Sequence, residues 1–183
     1  MPRVLLTGVT GFLGSHLLDA LINRGYDVVI LKRSTSNIYR IQHVIDSVTS
    51  YDIDLKSLEV AFKEQKIDVV IHTAGQYGRN GCSIAEIIES NVVFGASLLD
   101  ACLKYSVGTF INTDTMLQPY LNNYSLSKKH FVDWLRQHSD RVRIVNLKIE
   151  HMYGTKDDNK KFVAWVLSQL REGVSEIELT SGK

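Results

Sequence analysis

The sequence predicts an α/β fold organised as a doubly wound parallel sheet, and three observations carry that expectation. The apolar run Val4-Leu5-Leu6 leads directly into a glycine-rich turn, TGVTGFLG, at residues 7–14. Short apolar runs and amphipathic helical stretches then alternate along the chain, as in a parallel sheet with helices on both faces. A length of 183 residues, with 44% hydrophobic and 22% charged side chains, suffices for one domain with a proper core.

The elements follow in order. Val4 to Thr7 is a short buried strand closed by the glycine turn. From Phe12 onward Leu13, Leu17, Leu18, Leu21 and Ile22 fall on one helical face, and Gly25 supplies a helix stop. Val28 to Leu31 is a second buried strand, which completes a βαβ unit of about thirty residues. Asp54 can cap a helix running through Gln65, and Asp68 to His72 is the next strand. A helix is expected from Ile84 to Tyr105, a strand from Thr109 to Asn112, a helix from Tyr124 to His138 and a strand from Val142 to Leu147. The polar stretch Thr155 to Lys161 resembles a linker. Beyond it Phe162, Trp165, Val166 and Leu170 predict one more amphipathic helix, and Ile177 to Leu179 a short strand.

Composition narrows the function classes. A formal net charge of +1 offers no electrostatic reason to expect nucleic acid or an anionic membrane as partner. Cys82 and Cys102 form no CxxC pair and no ligand cluster with histidine, so no metal site is expected and reduced thiols are. No apolar stretch approaches the roughly eighteen residues that span a bilayer. The start, MPRVLLTG, does not read as a signal peptide, and the expected location is the cytoplasm.

Gly8, Gly11 and Gly14 recur every third position, with Thr7 in front. A glycine turn between a first strand and a first helix permits positive φ and lets the backbone approach a pyrophosphate, which the helix's free N–H groups then face. A turn needing glycine for geometry alone would carry the same triplet; its place in a βαβ unit favours dinucleotide binding. The GxxGxxG spacing resembles the extended branch of the short-chain dehydrogenase/reductase superfamily, the NAD-dependent epimerase/dehydratase family. Four further stretches are similar to that branch: Asp52-Ile53, expected beside adenine; Asp68 to Gly75, similar to "DVVIHLAA"; the helix opening at Asn91, similar to "NVxGTxxLLEAA"; and Tyr124 to Lys128, matching YxxxK.

The resemblance implies a Rossmann fold with a cofactor site formed by Gly8, Thr10, Gly11, Phe12, Leu13, Gly14, Lys32, Arg33, Asp52, Ile53, Thr73, Ala74, Gly75, Asn91, Tyr124 and Lys128. An acidic residue at the end of the second strand would suit NAD, whereas Lys32 and Arg33 stand there and favour the extra phosphate of NADP, with NAD as the alternative. Tyr124 and Lys128 share one helical face. A nearby ammonium favours the phenolate, so Tyr124 is the expected proton carrier to or from a sugar oxygen, and Lys128 holds the nicotinamide ribose. The third catalytic member is expected at Thr115, with Thr113 as the alternative.

Dehydratases of the branch carry Thr-Asp-Glu where this chain has Thr113-Asp114-Thr115, which disfavours dehydration. The run NTDTMLQPYLNNYSLSKK is similar to 4-keto-6-deoxysugar nucleotide reductases of the abequose-synthase type. The expected activity is therefore a nucleotide-sugar ketoreductase. An epimerase is the first alternative, and a non-catalytic NADP-binding form the second. The family also leads us to expect a Rossmann domain at residues 1–154, only the beginning of a carboxy-terminal substrate domain at 155–183, and a chain truncated relative to its family. A homodimer is expected through the helices carrying Phe94, Leu98, Phe131 and Trp134.

Overall fold

The computed structural model describes residues 1–79, 81–157 and 161–177, and the chain divides into two compact units, Met1–Glu150 and His151–Lys183. The first unit holds strands β1 (Arg3–Thr7), β2 (Asp27–Lys32), β3 (Thr49–Asp52), β4 (Val69–His72), β5 (Thr109–Thr115) and β6 (Arg143–Ile149). Every pairing is parallel, in the order β3-β2-β1-β4-β5-β6. That order reverses direction at β1, as in the Rossmann arrangement, and parallel strands end at a common carboxyl edge where ligands bind.

Alternation along the strands splits the core in two. Leu5, Val29, Leu31, Val70 and Phe110 pack on one face with Leu98 and Leu99 of helix α4 (Phe94–Lys104) and Phe131 and Leu135 of α5 (Asn123–Gln137). Leu6, Val28 and Ile30 pack on the other with Val9, Ile41 and Leu18 of α1 (Phe12–Asn23). Helices therefore cover both faces, and the predicted doubly wound sheet is what forms.

Several elements differ from the sequence reading. The strand β3 was not expected: Thr49-Ser50-Tyr51-Asp52 has no apolar run, being an edge strand with no fully buried residue. The helix α2 covers only Glu59–Glu64 and starts after Leu58, not at Asp54. Asp54 instead accepts bonds from Ser34 N (2.8 Å) and Ser34 Oγ (2.6 Å). The single helix expected from Ile84 to Tyr105 is α3 (Ile84–Ile88), a π turn at Glu89–Val93, and α4. Strand β5 runs three residues further than its apolar part, because Asn112, Asp114 and Thr115 are buried with polar partners. The dimer surface needs correction too. Leu98 and Phe131 are fully buried within the chain and Phe94 packs against the same core. The reason is the approach of α4 and α5 at Gly95, where a Cβ would lie 2.7 Å from the Phe131 ring. Trp134 alone of the four is exposed.

In the second unit, α6 (Phe162–Arg171) forms as predicted and buries none of its side chains fully. The strand expected at Ile177 to Leu179 falls on residues 178 and 179, outside the described ones. Among the described residues no helix is long and apolar enough to cross a membrane.

Candidate active site

The glycine turn is held by contacts that no side chain could share. Gly8 adopts φ +71°, and a Cβ there would come within 2.6 Å of Ala74 N and Thr73 Oγ1. A Cβ on Gly14 would lie 2.1 Å from Gly8 O, so the first turn of α1 rests directly on the turn's backbone. Gly11 begins the helix with no side-chain cap, and the first turn carries no acidic residue. The positive end of the α1 dipole therefore has no acidic side chain of its own first turn beside it. This cradle fits a dinucleotide pyrophosphate.

The opposite wall is the end of β4. Thr7 and His72 are register partners, and Thr7 Oγ1 shares a 2.8 Å bond with His72 Nδ1. Thr73 Oγ1 donates to Thr7 O (2.6 Å), and Ala74 N donates to Thr7 Oγ1 (3.4 Å). His72 is wholly buried among the rings of Phe94, Phe110 and Phe131, and its Nε2 has no hydrogen-bond partner among the described residues. Burial first, and the Lys128 charge second, pull its pKa down to about 3, so the ring is neutral. Asn91 projects from the π turn, fully buried. Its Oδ1 accepts from Gln76 N (2.6 Å), while Nδ2 donates to Gln76 O and to Ser127 Oγ (both 2.9 Å). That side chain thus holds the segment after Gly75 with two bonds and reaches α5 with a third. A π turn is a recurrent device for turning one residue into a functional site.

At the end of β2, Lys32 is not free. It pairs with Asp52, its register partner on β3. Ile53 N donates to Lys32 O (2.9 Å), which keeps Ile53 at the edge of the core. Arg33 is exposed. Arg40, which the sequence reading missed, donates from Nη1 to Thr10 O (3.2 Å) and lies over the Tyr39 ring at 4.5 Å. A basic residue a few positions beyond the second strand was the available signal.

Helix α5 opens with a reciprocal cap: Ser125 N donates to Asn122 Oδ1 (2.8 Å) and Asn122 N donates to Ser125 Oγ (3.2 Å). This fixes Tyr124 in the first turn at the carboxyl edge of the sheet. Lys128, one turn on, is 2% exposed. Burial lowers its pKa to about 8, with Asp114 opposing and Lys129 adding to the shift. The sequence argument that an ammonium favours the Tyr124 phenolate is corrected here. Burial raises the phenol's pKa, Tyr77 and Asp114 add to it, and Lys128 does not offset them. Thr115 is buried and its Oγ1 accepts from Leu117 N (3.2 Å), leaving the hydroxyl proton available. Thr113 Oγ1 donates its proton to His72 O (3.0 Å).

Behind these residues lies a buried polar network with no signature in the sequence, since its members come from three separate elements. Lys129 Nζ donates to both oxygens of Asp114 (3.0 and 2.8 Å) and to Thr115 O (2.5 Å). Asn146 Nδ2 donates to Asp114 Oδ2 (3.2 Å), and Asn112 Nδ2 donates to Asn146 Oδ1 (2.7 Å).

The chain is similar to known proteins in both sequence and fold. The family described as "NAD dependent epimerase/dehydratase family" matches residues 4–183. The CDP-abequose synthase of Salmonella muenchen is 31% identical over 179 residues, covering 92% of this chain and 59% of that protein. The crystal structure of UDP-glucose 4-epimerase with UDP-glucose from Thermotoga maritima superposes with a TM-score of 0.80 at 22% identity, covering 93% of this chain and 63% of that one. The Thermus thermophilus UDP-glucose 4-epimerase complex with NAD gives a TM-score of 0.76 at 26% identity, covering 91% and 60%. The chain thus spans about three fifths of the length of these relatives.

Proposed function

The chain belongs to the NAD dependent epimerase/dehydratase family, and from that membership we propose that it is an NAD(P)-dependent oxidoreductase of nucleotide sugars, reducing a 4-keto-6-deoxysugar nucleotide. One observation carries the reading: Tyr124 and the buried Lys128 stand one helical turn apart at the sheet edge that also bears the Gly8–Gly14 cradle. The nicotinamide, when bound, supplies the hydride to the sugar's carbonyl carbon. Tyr124 gives its phenol proton to the carbonyl oxygen, and Thr115 donates a hydrogen bond that holds that oxygen. Lys128 binds the nicotinamide ribose. Gly8, Gly11 and Gly14 admit the pyrophosphate, Asp52 and Ile53 flank the adenosine, and Thr73, Ala74, Gly75 and Asn91 line the cofactor's other side.

The likeness to CDP-abequose synthase supports reduction, and the likeness to UDP-glucose 4-epimerases supports epimerisation as the second reading. We place residues 155–183 at the start of a substrate-binding region, the protein in the cytoplasm, and Trp134 on a homodimer surface that light scattering would test. The deciding experiment follows NADPH absorbance with a CDP-linked 4-keto-6-deoxyhexose, beside UDP-glucose with NAD. Oxidation of NADPH that disappears in Tyr124→Phe supports the reductase. Interconversion of UDP-glucose without net cofactor turnover transfers the assignment to the epimerase. Thr113→Val and Thr115→Val complete the test: a larger loss in Thr113→Val moves the polarising role to that residue.

A further inference from the structure

Tyr77 takes no part in the roles above, yet it lies on the residue at their centre. Its ring centroid is 4.8 Å from that of Tyr124, with the planes inclined by 36°. The Arg79 guanidinium lies 5.6 Å from the centre of the Tyr77 ring. A tyrosine that is 53% exposed would ordinarily be a freely rotating surface group, but here the chain is fixed on both sides of it. Before it, both backbone polar groups of Gln76 are held by the Asn91 side chain. After it, Gly78 takes φ +72°, and a Cβ there would approach Ile87 Cδ1 to 2.9 Å. The segment is thus moulded onto α3 and the π turn, and those anchors aim Tyr77 at Tyr124.

We propose that Tyr77 is a positioning residue for Tyr124: its ring covers the Tyr124 side chain, fixing the phenol's orientation and limiting the water that reaches its hydroxyl. The inference rests on the reading of Tyr124 as proton donor only for its consequence in catalysis; the cover itself is a property of the two rings. Aromatic rings in contact attract beyond the area they bury, which favours the Tyr124 rotamer that keeps the contact. Water is what would stabilise a phenolate, so covering the ring keeps the phenol protonated and ready to donate. The pKa of Tyr124 is raised chiefly by burial, which agrees with this.

The test reads the phenol directly. Tetranitromethane attacks phenolates that it can reach, and peptide mass spectrometry resolves which of the tyrosines is nitrated. In Tyr77→Ala, nitration of Tyr124 should rise by about tenfold over the wild-type protein, the effect of easing phenol ionisation by about one pH unit. In Tyr77→Phe, which keeps the ring and loses only the hydroxyl, it should stay at the wild-type rate. Unchanged Tyr124 nitration in Tyr77→Ala overturns the proposal. So does an equal rise in both variants, because the hydroxyl and not the cover would then be responsible. If Tyr77→Ala does not fold by circular dichroism, Tyr77→Leu is read in the same way. The pH profile of turnover should move with the nitration rate. Turnover that survives Tyr124→Phe would defeat the reductase reading and leave the nitration result standing.

Discussion

Asp114 is paired with Lys129, whose Nζ lies 2.8 and 3.0 Å from its two carboxylate oxygens, and not with the neighbouring Lys128. Burial alone would push the Asp114 carboxyl up, but the bonds from Lys129, Thr115 N and Asn146 outweigh it and hold the pKa below its ordinary value. The same ammonium bonds Thr115 O, so one ion pair clamps the end of β5 to α5. Adjacent lysines therefore do opposite things. Lys129 is satisfied and structural; Lys128 is buried without a hydrogen bond or ion pair among the described residues.

Removing Lys129 should consequently be severe. Lys129→Met leaves a carboxylate that is 1% exposed without its cation. Breaking a buried pair from one side costs about 3–5 kcal/mol. Urea unfolding at neutral pH should show a loss of that order, and Lys129→Met/Asp114→Asn should recover part of it. A loss no larger than that of a surface lysine would show that the pair is solvated.

Lys128→Met should have the reverse effect on stability. The folded pKa of about 8 lies below the ordinary 10.5, so the unfolded chain binds more protons between these values. Stability tied to this group is full above pH 10.5, declines as pH falls through about 8, and is absent at neutral pH. Replacing the buried charge should then raise stability at pH 7 by on the order of 2–3 kcal/mol while abolishing turnover. The gain should vanish near pH 10.5. Unfolding curves at the two pH values check both parts.

His72 supplies a second pH dependence, in the acid range. Its pKa of about 3 in the folded chain lies below the ordinary 6.5, so stability is full above pH 6.5 and falls as pH drops toward 3. The loss at the lower limit is on the order of 4 kcal/mol. His72→Phe should flatten this limb of the profile even where it lowers stability at neutral pH by removing the bond to Thr7. A His72 ring signal titrating near 6.5 in the folded protein would contradict the buried, neutral assignment.

Much of the fold was readable because the glycine turn and the apolar runs of β1, β2 and β4 are local signals. The helix faces of α1 and α5 were readable for the same reason. What escaped was non-local. Strand β3 earns its place by pairing with β2, where Lys32 meets Asp52, and not by its own four polar and aromatic residues. The π turn at Glu89–Val93, which carries the buried Asn91, is hidden between two stretches of ordinary helical periodicity. In the candidate site, the placing of Tyr124 and Lys128 one turn apart on α5 was legible from their spacing. Asn112, Asp114, Lys129 and Asn146 were not, because polar residues on three elements look solvated until tertiary structure brings them together.

That pairing of Lys32 with Asp52 reshapes the expectation about the cofactor. The sequence offered two cations, Lys32 and Arg33, for a 2′-phosphate; the structure commits the first to a carboxylate and adds Arg40 beside Thr10. The phosphate should then depend mainly on Arg33, whose exposed side chain makes no ion pair among the described residues. Charge-assisted bonds of this kind are worth about 1.5–3 kcal/mol, reduced by solvent at an exposed site. NADPH should accordingly bind more tightly than NADH, and Arg33→Ala should weaken NADPH by about tenfold, or about 1.4 kcal/mol, while leaving NADH nearly unchanged. Asp52→Asn should strengthen NADPH further, because it releases Lys32 and removes a like charge from the phosphate's surroundings. The preference should shrink as salt rises, since screening acts on exposed charges first. Calorimetric titration of both cofactors at low and high salt measures all of this. Tighter binding of NADH by the unmodified chain would show that the Asp52 carboxylate, not the arginine, governs the adenosine end of the site.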